Sequence, residues 1–357
     1  MPRYSVSPLS LFSVCFLSIT ATTLMLGKTA AAGPASYLAA GLGALAALPF
    51  CLLLLRLHNA YPQESPSGLL RRLFGAGFAR FLLLFYAFLS LLTGAILFSY
   101  LTRFISLTGK TEQTAAVFTL LLMLTVFLVA KAGIDKTARF CRLLLPFIAL
   151  ILLTGLLLLL SAFDIRDLLP FPGASGENLV LGSLSMFFYP FSQIFLCVPF
   201  LFRTDPARAS RPLLLALLCS GLVIFFSYAL TAGVLGAPCL ALLRYPYYMA
   251  LSAVEISPFF RRVEVILSVH FILSMIVKGS VCTEFSSLAL SSAFPAVRPE
   301  RLSLPLAALI TGLSLILFSD AAQMLRALDF YPFLVAPFFV LLPLAALLRH
   351  LILKKRS

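Results

Sequence analysis

Long apolar runs recur along the chain and constrain its fold more than any other feature. A helix of about 20 apolar residues crosses the hydrocarbon core of a bilayer, which is roughly 30 Å thick. Ten runs approach that length: 8–26, 34–56, 80–105, 114–132, 138–162, 181–202, 211–236, 262–290, 303–319 and 331–351. They are Leu-rich and lack the alternation of barrel strands, and in lipid a helix satisfies its own backbone hydrogen bonds. The sequence therefore predicts an all-α integral membrane protein of about ten transmembrane helices.

The scarcity of charged residues excludes several classes of protein. Of the 357 residues, 61% are apolar and 11% are charged, whereas a soluble domain is about half apolar and about a quarter charged. Too little polar surface remains for a soluble enzyme, a nucleic-acid binder or a disordered scaffold. The seven cysteines form no CxxC pair and the three histidines lie far apart, so no metal site and no cofactor are predicted. Serine, histidine and aspartate converge at no catalytic spacing, so no enzyme is predicted.

The distribution of basic residues sets the expected orientation in the lipid bilayer. With the N-terminus inside, the inner segments carry 18 of the 27 Lys and Arg residues and the outer segments carry 8. The remaining residue, Lys278, lies deep within a run. Cytoplasmic loops of membrane proteins hold an excess of basic residues. Both termini are therefore predicted to be cytoplasmic, with a basic tail at 352–357 on a single transmembrane domain, 1–357.

Two connecting segments are predicted to be ordered. Residues 67–74 form a short amphipathic pattern, which favours a helix on the cytoplasmic surface. Its apolar side comprises Leu69, Leu70, Leu73 and Phe74. The segment 240–256 is too apolar for a free loop and is interrupted by Pro246. It is predicted to be an outer lid on the bundle, or else an interfacial helix.

Two runs carry the signs of a broken helix. The first contains Ser18-Ile-Thr-Ala-Thr-Thr23 and the sixth contains Phe188-Tyr-Pro-Phe-Ser-Gln193, where the proline removes a backbone donor. The runs lie five apart, as in a transporter with two inverted repeats, here about 8–162 and 181–351. Such transporters bind their ligand where helices 1 and 6 break. The candidate ligand-binding residues are Thr20, Ala21, Thr22, Thr23, Tyr189, Pro190, Ser192 and Gln193.

The same features have a second interpretation. Prolines often only kink a membrane helix, and threonines often bond back to the carbonyl groups of their own helix. In that case neither run is broken. The match between the two positions favours the broken helices.

The eighth run is unusual because it holds Glu264, His270, Lys278 and Glu284. A charge at the bilayer centre costs roughly 2.5–3.5 kcal/mol on the insertion scale, so Lys278 is expected to face the protein interior. It either replaces a coupling cation or binds an anionic ligand group, or it is a buried tether between helices. Glu264 is predicted near the outer end beside two arginines. His270 is predicted in a hydrogen bond between helices, and Glu284 is expected to be solvated at the inner end.

Several short motifs follow one another along most of the chain. They are Leu26-Gly-Lys-Thr-Ala-Ala-Ala-Gly33, Leu55-Arg-Leu-His-Asn-Ala-Tyr-Pro62, Leu184-Ser-Met-Phe-Phe-Tyr-Pro-Phe-Ser-Gln193, Val198-Pro-Phe-Leu201, Arg262-Val-Glu264, Val277-Lys278 and Pro343-Leu-Ala-Ala-Leu-Leu-Arg349. Their order and spacing resemble the spore germination permeases, the B subunits of germinant receptors within the amino acid–polyamine–organocation superfamily.

The resemblance implies a leucine-transporter-like fold of ten helices in two inverted repeats of five, with helices 1 and 6 broken. It implies a receptor subunit in the inner spore membrane that acts with A and C subunits. A small germinant such as an amino acid would bind between spans 1, 3, 6 and 8, where Lys278 joins the candidate ligand-binding residues. Tyr86 in span 3 and Glu264 in span 8 are assigned a structural or gating role.

Two departures from the family pattern bear on the ligand class. The sixth span of the family often carries an acidic residue where this chain has Gln193, and a glycine is expected where it has Ala21. Two further functions remain open. One is an amino-acid or amine permease that works by alternating access with ion or proton coupling. The other is a structural protein that keeps the fold without transport.

Overall fold

The computed structural model describes residues 4–23, 35–107, 111–168, 175–236, 245–254, 264–318 and 320–356, together with Cys239 and Leu243. Within these residues the regular structure is entirely helical. The α-helices are α1 (Pro8–Thr23), α2 (Ser36–Ala60), α3 (Pro66–Phe74), α4 (Ala76–Leu107), α5 (Glu112–Lys131), α6 (Ile134–Ser161), α7 (Gly176–Phe188), α8 (Val198–Leu201), α9 (Pro206–Leu235), α10 (Pro246–Ala253), α11 (Glu264–Ala293), α12 (Pro299–Ile316), α13 (Ala321–Val335) and α14 (Leu342–Arg356). Two 3-10 segments, Ile165–Leu168 and Phe191–Cys197, and a π-helical segment, Ala336–Leu341, complete the set.

The helices match the ten predicted spans in position. Among the described residues, eight helical stretches are long and apolar enough to cross a membrane, and they correspond to predicted spans 2 to 8 and 10. The other two spans are the shorter α1 and the 18-residue α12. Span 10 is built from α13, the π-helical segment and α14. The prediction of an all-α integral membrane protein is confirmed.

The amphipathic segment before α4 is a helix, as predicted. Ser65 caps it by accepting a hydrogen bond from the Gly68 amide, and Pro66 occupies its first turn, where a missing amide is tolerated. Gly75 ends it with φ at 82°, a conformation that favours glycine. Leu69 and Leu73 are buried, so α3 lies against the bundle. We call this side of the bundle the α3 end.

The sixth span is interrupted at the predicted place. Helix α7 ends at Phe188, and Tyr189 takes an extended conformation. The peptide bond between Tyr189 and Pro190 is cis. The chain then continues as the 3-10 segment Phe191–Cys197 before α8 begins. The predicted break in helix 6 is therefore confirmed.

The first span differs from its prediction. Helix α1 runs without interruption to Thr23, so the hydroxyl-rich patch at 18–23 is not unwound. Thr20 donates to the Phe16 carbonyl oxygen at 2.9 Å, which is the back-bonding expected from the second interpretation. A threonine with this bond satisfies its hydroxyl within its own helix. Residues 24–34, which follow, lie outside the described residues.

Helix α11 lies at the centre of the bundle. It packs against α1, α4, α5, α6 and α12, and most of its length is buried. Helix α2 packs against α7 and α9 through small residues. The Cβ of Ala44, for example, would lie 2.7 Å from a Cβ built on Gly221. Small side chains let helix backbones approach closely in membranes.

The contact between α2 and α7 leads to a test of stability. A Cβ at Gly43 would lie 2.6 Å from Met186 Cβ and 3.0 Å from the Ser183 carbonyl oxygen. Because backbone atoms cannot yield cheaply, we expect Gly43→Ala to destabilise the protein by about 1–3 kcal/mol. Gly312→Ala is the matched control, since no described atom outside its own helical turns lies within 4 Å of a Cβ built there. Thermal unfolding in detergent should separate the two variants, and equal melting temperatures would contradict the packing.

Candidate functional site

The interrupted span 6 meets α11 and α13 in the middle of the bundle. Lys278 of α11 is 1% exposed, and its Nζ lies 5.5 Å from the centroid of the Tyr189 ring. The rings of Tyr189 and Tyr331 meet edge to face, with centroids 5.6 Å apart. An ammonium over an aromatic face is attracted by the ring quadrupole. The structure therefore brings together the predicted residues Lys278 and Tyr189, and we call this region the central site.

Gln193 belongs to the same site. Its Nε2 donates to the Tyr331 hydroxyl at 2.9 Å, and that hydroxyl lies 2.9 Å from Thr93 Oγ1. All three side chains are buried. The link joins span 6 to α13 and α4 through polar groups alone. Gln193, Tyr331 and Thr93 thus form a hydrogen-bonded chain, which we call the amide relay.

The other predicted ligand-binding residues take different places. Ser192 donates to the Phe188 carbonyl oxygen across the break at 2.8 Å, while Pro190 is the first residue after the cis bond. Thr20 and Ala21 are buried in α1, which packs against α11 and the 3-10 segment of span 6. The side chains of Thr22, Thr23 and Glu264 lie outside the described part of the chain.

Two members of the amide relay were missed by the sequence analysis. Tyr331 and Thr93 lie in runs that read as ordinary apolar spans. One signal was available: Tyr331-Pro332 in span 10 repeats the Tyr189-Pro190 pair of span 6. Thr93 offered no such signal, because a single threonine in a membrane helix usually bonds to its own backbone.

A large cavity opens at the α3 end. Its volume is about 680 Å³, within the range of small-molecule sites. We call it the vestibule. Its walls are mainly apolar and include Leu54, Leu57, Tyr86, Phe195, Phe285 and Leu342. Polar groups line it as well: Gln63, Glu64, Ser65, Ser67, Arg203 and Ser292.

Aromatic rings lie where the vestibule meets the interior. Phe195 is at their centre, with ring centroids 5.0 Å from Tyr86, 5.9 Å from Phe285 and 5.0 Å from Phe339. We call these four residues the vestibule barrier. The Tyr86 hydroxyl donates to the carbonyl oxygen of Phe338 in the π-helical segment at 2.8 Å. Such segments often occur at functional sites. The gating role of Tyr86 stays a prediction.

A second aromatic cluster lies at the opposite end. Tyr245, at the start of α10, packs against Tyr100 and Phe104 of α4, with ring centroids 5.0 Å and 5.2 Å away. Phe271 of α11 lies 5.3 Å from Phe104. These four residues, the aromatic plug, are all buried. The described part of the predicted outer lid, residues 245–254, therefore packs on the bundle.

The structure corrects two expectations for span 8. Glu284 is buried rather than solvated, and its Oε1 accepts a hydrogen bond from Thr137 of α6 at 2.7 Å. Thr137 reaches it because α6 crosses α11 at this end of the bundle. His270 is also buried, but neither of its ring nitrogens has a hydrogen-bond partner among the described residues. The predicted bond from His270 to another helix is therefore not found there.

Comparisons with known proteins found a matching family, a related sequence and a solved structure with a similar fold. A family model described as "Spore germination protein" matches residues 5–322. Spore germination protein KB of Bacillus subtilis (strain 168) is 22% identical over 364 aligned residues, covering 100% of this chain and 97% of the relative. The solved structure of Mhp1, a nucleobase-cation-symport-1 family transporter in a closed conformation with bromovinylhydantoin bound, superposes with a TM-score of 0.67. It is 16% identical, and the match covers 94% of this chain and 77% of the transporter. The chain therefore has a transporter-like fold.

Proposed function

The chain belongs to the spore germination protein family, and on that premise we propose that it is the membrane subunit of a nutrient germinant receptor. It binds a small germinant, an amino acid or a similar molecule, within the helix bundle. It signals together with partner subunits, which the family resemblance indicates are the A and C subunits. We place it in the cell membrane or the inner spore membrane.

The observation that carries this proposal is the buried Lys278 at the break in span 6. An ammonium at this depth costs roughly 2.5–3.5 kcal/mol on the insertion scale, and ionisable residues inside membranes are by default functional. Here it lies beside Tyr189, with Gln193 four residues further along the same interrupted span. Transporters of related architecture bind their ligands where span 6 unwinds. We infer that the germinant binds at the central site, against Tyr189, Pro190, Ser192, Gln193 and Lys278.

Helix α1 completes the proposed site from the other side. It packs against both α11 and the 3-10 segment of span 6. Thr20 and Ala21 belong to its buried length, and Thr22 and Thr23 follow them towards its last described turn. We assign these four residues to the ligand site as well. Glu264 keeps its assignment to gating.

The two ends of the bundle differ: one is closed, and the other carries an open cavity. The aromatic plug closes the α10 end, while the vestibule reaches inward from the α3 end as far as the vestibule barrier. We propose that the α3 end is cytoplasmic, because Arg71, Arg72 and the basic end of α14 lie there. Binding of a germinant would then shift the equilibrium between this conformation and one in which the barrier is rearranged.

The orientation is testable by labelling a native and an introduced cysteine. Cys239, which is exposed, lies just beyond α9 on the side opposite α3. We expect a membrane-impermeant maleimide to label it in intact protoplasts, and Cys239→Ser to remove that label. In the Cys239→Ser background, Gln63→Cys places a thiol at an exposed position beside α3, and it should be labelled only after permeabilisation. The reverse pattern would contradict a cytoplasmic α3 end.

Purification from the native host tests the proposed receptor. We expect the tagged chain to be found in sporulating cells and to co-purify with a second membrane protein and a lipoprotein. An unrelated membrane protein with the same tag is the control. Expression in growing cells without partners would contradict the receptor.

The alternative function is a permease, and the vestibule together with the transporter-like fold favours it among the other candidates. A permease works alone, so the purified chain in liposomes should accumulate an amino acid or amine when an ion or proton gradient is imposed. The receptor subunit is expected to show no such uptake.

A further inference from the structure

The hydrogen bonds of the amide relay have a direction that the geometry determines. Thr93 Oγ1 lies 2.8 Å from the Leu89 carbonyl oxygen and 2.9 Å from the Tyr331 hydroxyl. A carbonyl oxygen only accepts, so both contacts of Thr93 are hydrogen bonds only if its single proton goes to Leu89. Thr93 then accepts the proton of Tyr331. With its own proton committed, the Tyr331 oxygen accepts from Gln193 Nε2 at 2.9 Å.

The opposite orientation of the amide satisfies fewer groups. If Gln193 turned its oxygen to Tyr331, both amide protons would leave the relay. The oxygen would then accept the Tyr331 proton, but Thr93 would no longer receive it. Two hydrogen bonds would remain in place of three, and neither amide proton would have an acceptor in the relay. A buried donor without a partner is destabilising. The relay therefore fixes the amide of Gln193, with its nitrogen directed to Tyr331.

The oxygen of that amide, Oε1, takes no part in the relay. Gln193 is 2% exposed, and its Oε1 has no hydrogen-bond partner among the described residues. Buried acceptors are paired in nearly all native structures, and an exception calls for an explanation. Its place in the interrupted span 6, bonded to the tyrosine that packs on Tyr189, supplies one.

We propose that Thr93 and Tyr331 are positioning residues that hold Gln193 Oε1 as the acceptor for a hydrogen-bond donor on the ligand. The ligand therefore carries an ammonium, amide or hydroxyl group, while Lys278 provides the donor for an anionic or carbonyl group elsewhere on it. This inference rests on the proposed function, because it assigns the central site to a ligand.

The direction of the relay can be measured without any ligand. The chain has four glutamines, and three of them, Gln63, Gln113 and Gln323, are exposed. In the full chain labelled with ¹⁵N-glutamine in nanodiscs, the side-chain amide that exchanges slowly with water should be that of Gln193, and Gln193→Met should remove it.

Three substitutions then test the relay itself. Tyr331→Phe should move the proton resonance of this amide upfield, because its acceptor is gone, and Thr93→Val should move it too. Thr93→Ser keeps the hydroxyl and should preserve the wild-type resonance. A resonance unchanged in Tyr331→Phe would overturn the assigned direction.

The ligand class is tested with matched probes, L-alanine against pyruvate and L-leucine against 4-methyl-2-oxopentanoate. Each pair shares its carboxylate and side chain, but the keto acid lacks the donor. We expect the full chain in nanodiscs to bind the amino acid about tenfold or more tightly, since a site built for a donor rejects the analogue without it. Tyr331→Phe and Thr93→Val should reduce this ratio severalfold, and Thr93→Ser should restore it.

The possible outcomes test the ligand class and the positioning role of Thr93 and Tyr331 separately. Equal binding of the amino and keto acids, with the amide resonance as expected, would mean that water rather than ligand pairs with Gln193 Oε1, and it would overturn the ligand class. Discrimination that Tyr331→Phe leaves unchanged would remove the positioning role. If no probe bound, an amino-acid germinant would be contradicted, while the resonance would still decide the direction of the relay.

Discussion

Replacing Lys278 with methionine is expected to abolish the nutrient response of spores without unfolding the protein. Lys278 is almost completely buried against the Tyr189 ring. Removing a buried charge that pairs with a ligand group costs on the order of 3 kcal/mol, a loss of about 100-fold in sensitivity to the germinant. Methionine has a similar length and no charge, so it avoids the desolvation cost of the ammonium. The melting temperature should therefore stay the same or rise.

The same variant distinguishes a ligand site from a tether between helices. If Lys278 only holds α11 to its neighbours, Lys278→Met should lower stability, and the response should fall only as far as the amount of protein falls. Lys131→Met, at an exposed lysine at the end of α5, is the matched control and should respond normally. A Lys278→Met chain that folds, assembles and germinates at wild-type nutrient concentrations would refute the proposed role.

The second large effect concerns the vestibule barrier. Phe195 touches the other three aromatic residues of the barrier, so Phe195→Ala should open the vestibule towards the centre of the bundle. Truncating a buried phenylalanine costs about 3–5 kcal/mol when the space does not collapse. We expect lower stability and, more specifically, a thiol at Cys282 that becomes reactive. Cys282 is fully buried and lies on α11 between Lys278 and Phe285.

The measurement is the rate at which a small charged thiol reagent modifies Cys282 from the α3 side, read by peptide mass spectrometry. The rate should rise at least about tenfold in Phe195→Ala, because the thiol passes from a dry interior to a wet vestibule. Phe147→Ala is the control, since Phe147 is 58% exposed on α6 and faces away from the barrier. A Cys282 that stays unreactive in Phe195→Ala would show that the barrier is not what separates the two compartments.

Local patterns predicted much of the fold because they act over a few residues. The amphipathic spacing of Leu69 and Leu73 places α3 on the bundle, and the proline at 190 interrupts span 6 where the backbone loses a donor. The hydroxyl patch of span 1 was misleading for the same local reason. Thr20 satisfies itself by bonding back to Phe16, and no sequence pattern tells this bond apart from an unwound segment.

The central site could be predicted only in part. Tyr189, Gln193 and Lys278 stood out because a broken helix and a buried charge are both rare within apolar runs. Thr93 and Tyr331 did not, because their importance comes from each other and from Gln193, at separations of 138 and 238 residues along the chain. Glu284 was misjudged for a similar reason, since its partner Thr137 lies 147 residues away.

The sequence by itself determined that this chain lies in a membrane, where its helices run, where span 6 breaks and that Lys278 is buried. Each of these follows from the cost of leaving polar groups or backbone in hydrocarbon, which is decided within about 20 residues. Only the tertiary structure decided that the vestibule opens at the α3 end and is closed towards the centre of the bundle by an aromatic barrier. It also decided that Gln193 directs its nitrogen to Tyr331 and leaves its oxygen for the central site. Those properties depend on which distant helices meet, and a hydrogen bond acquires its direction only when donor and acceptor are brought together.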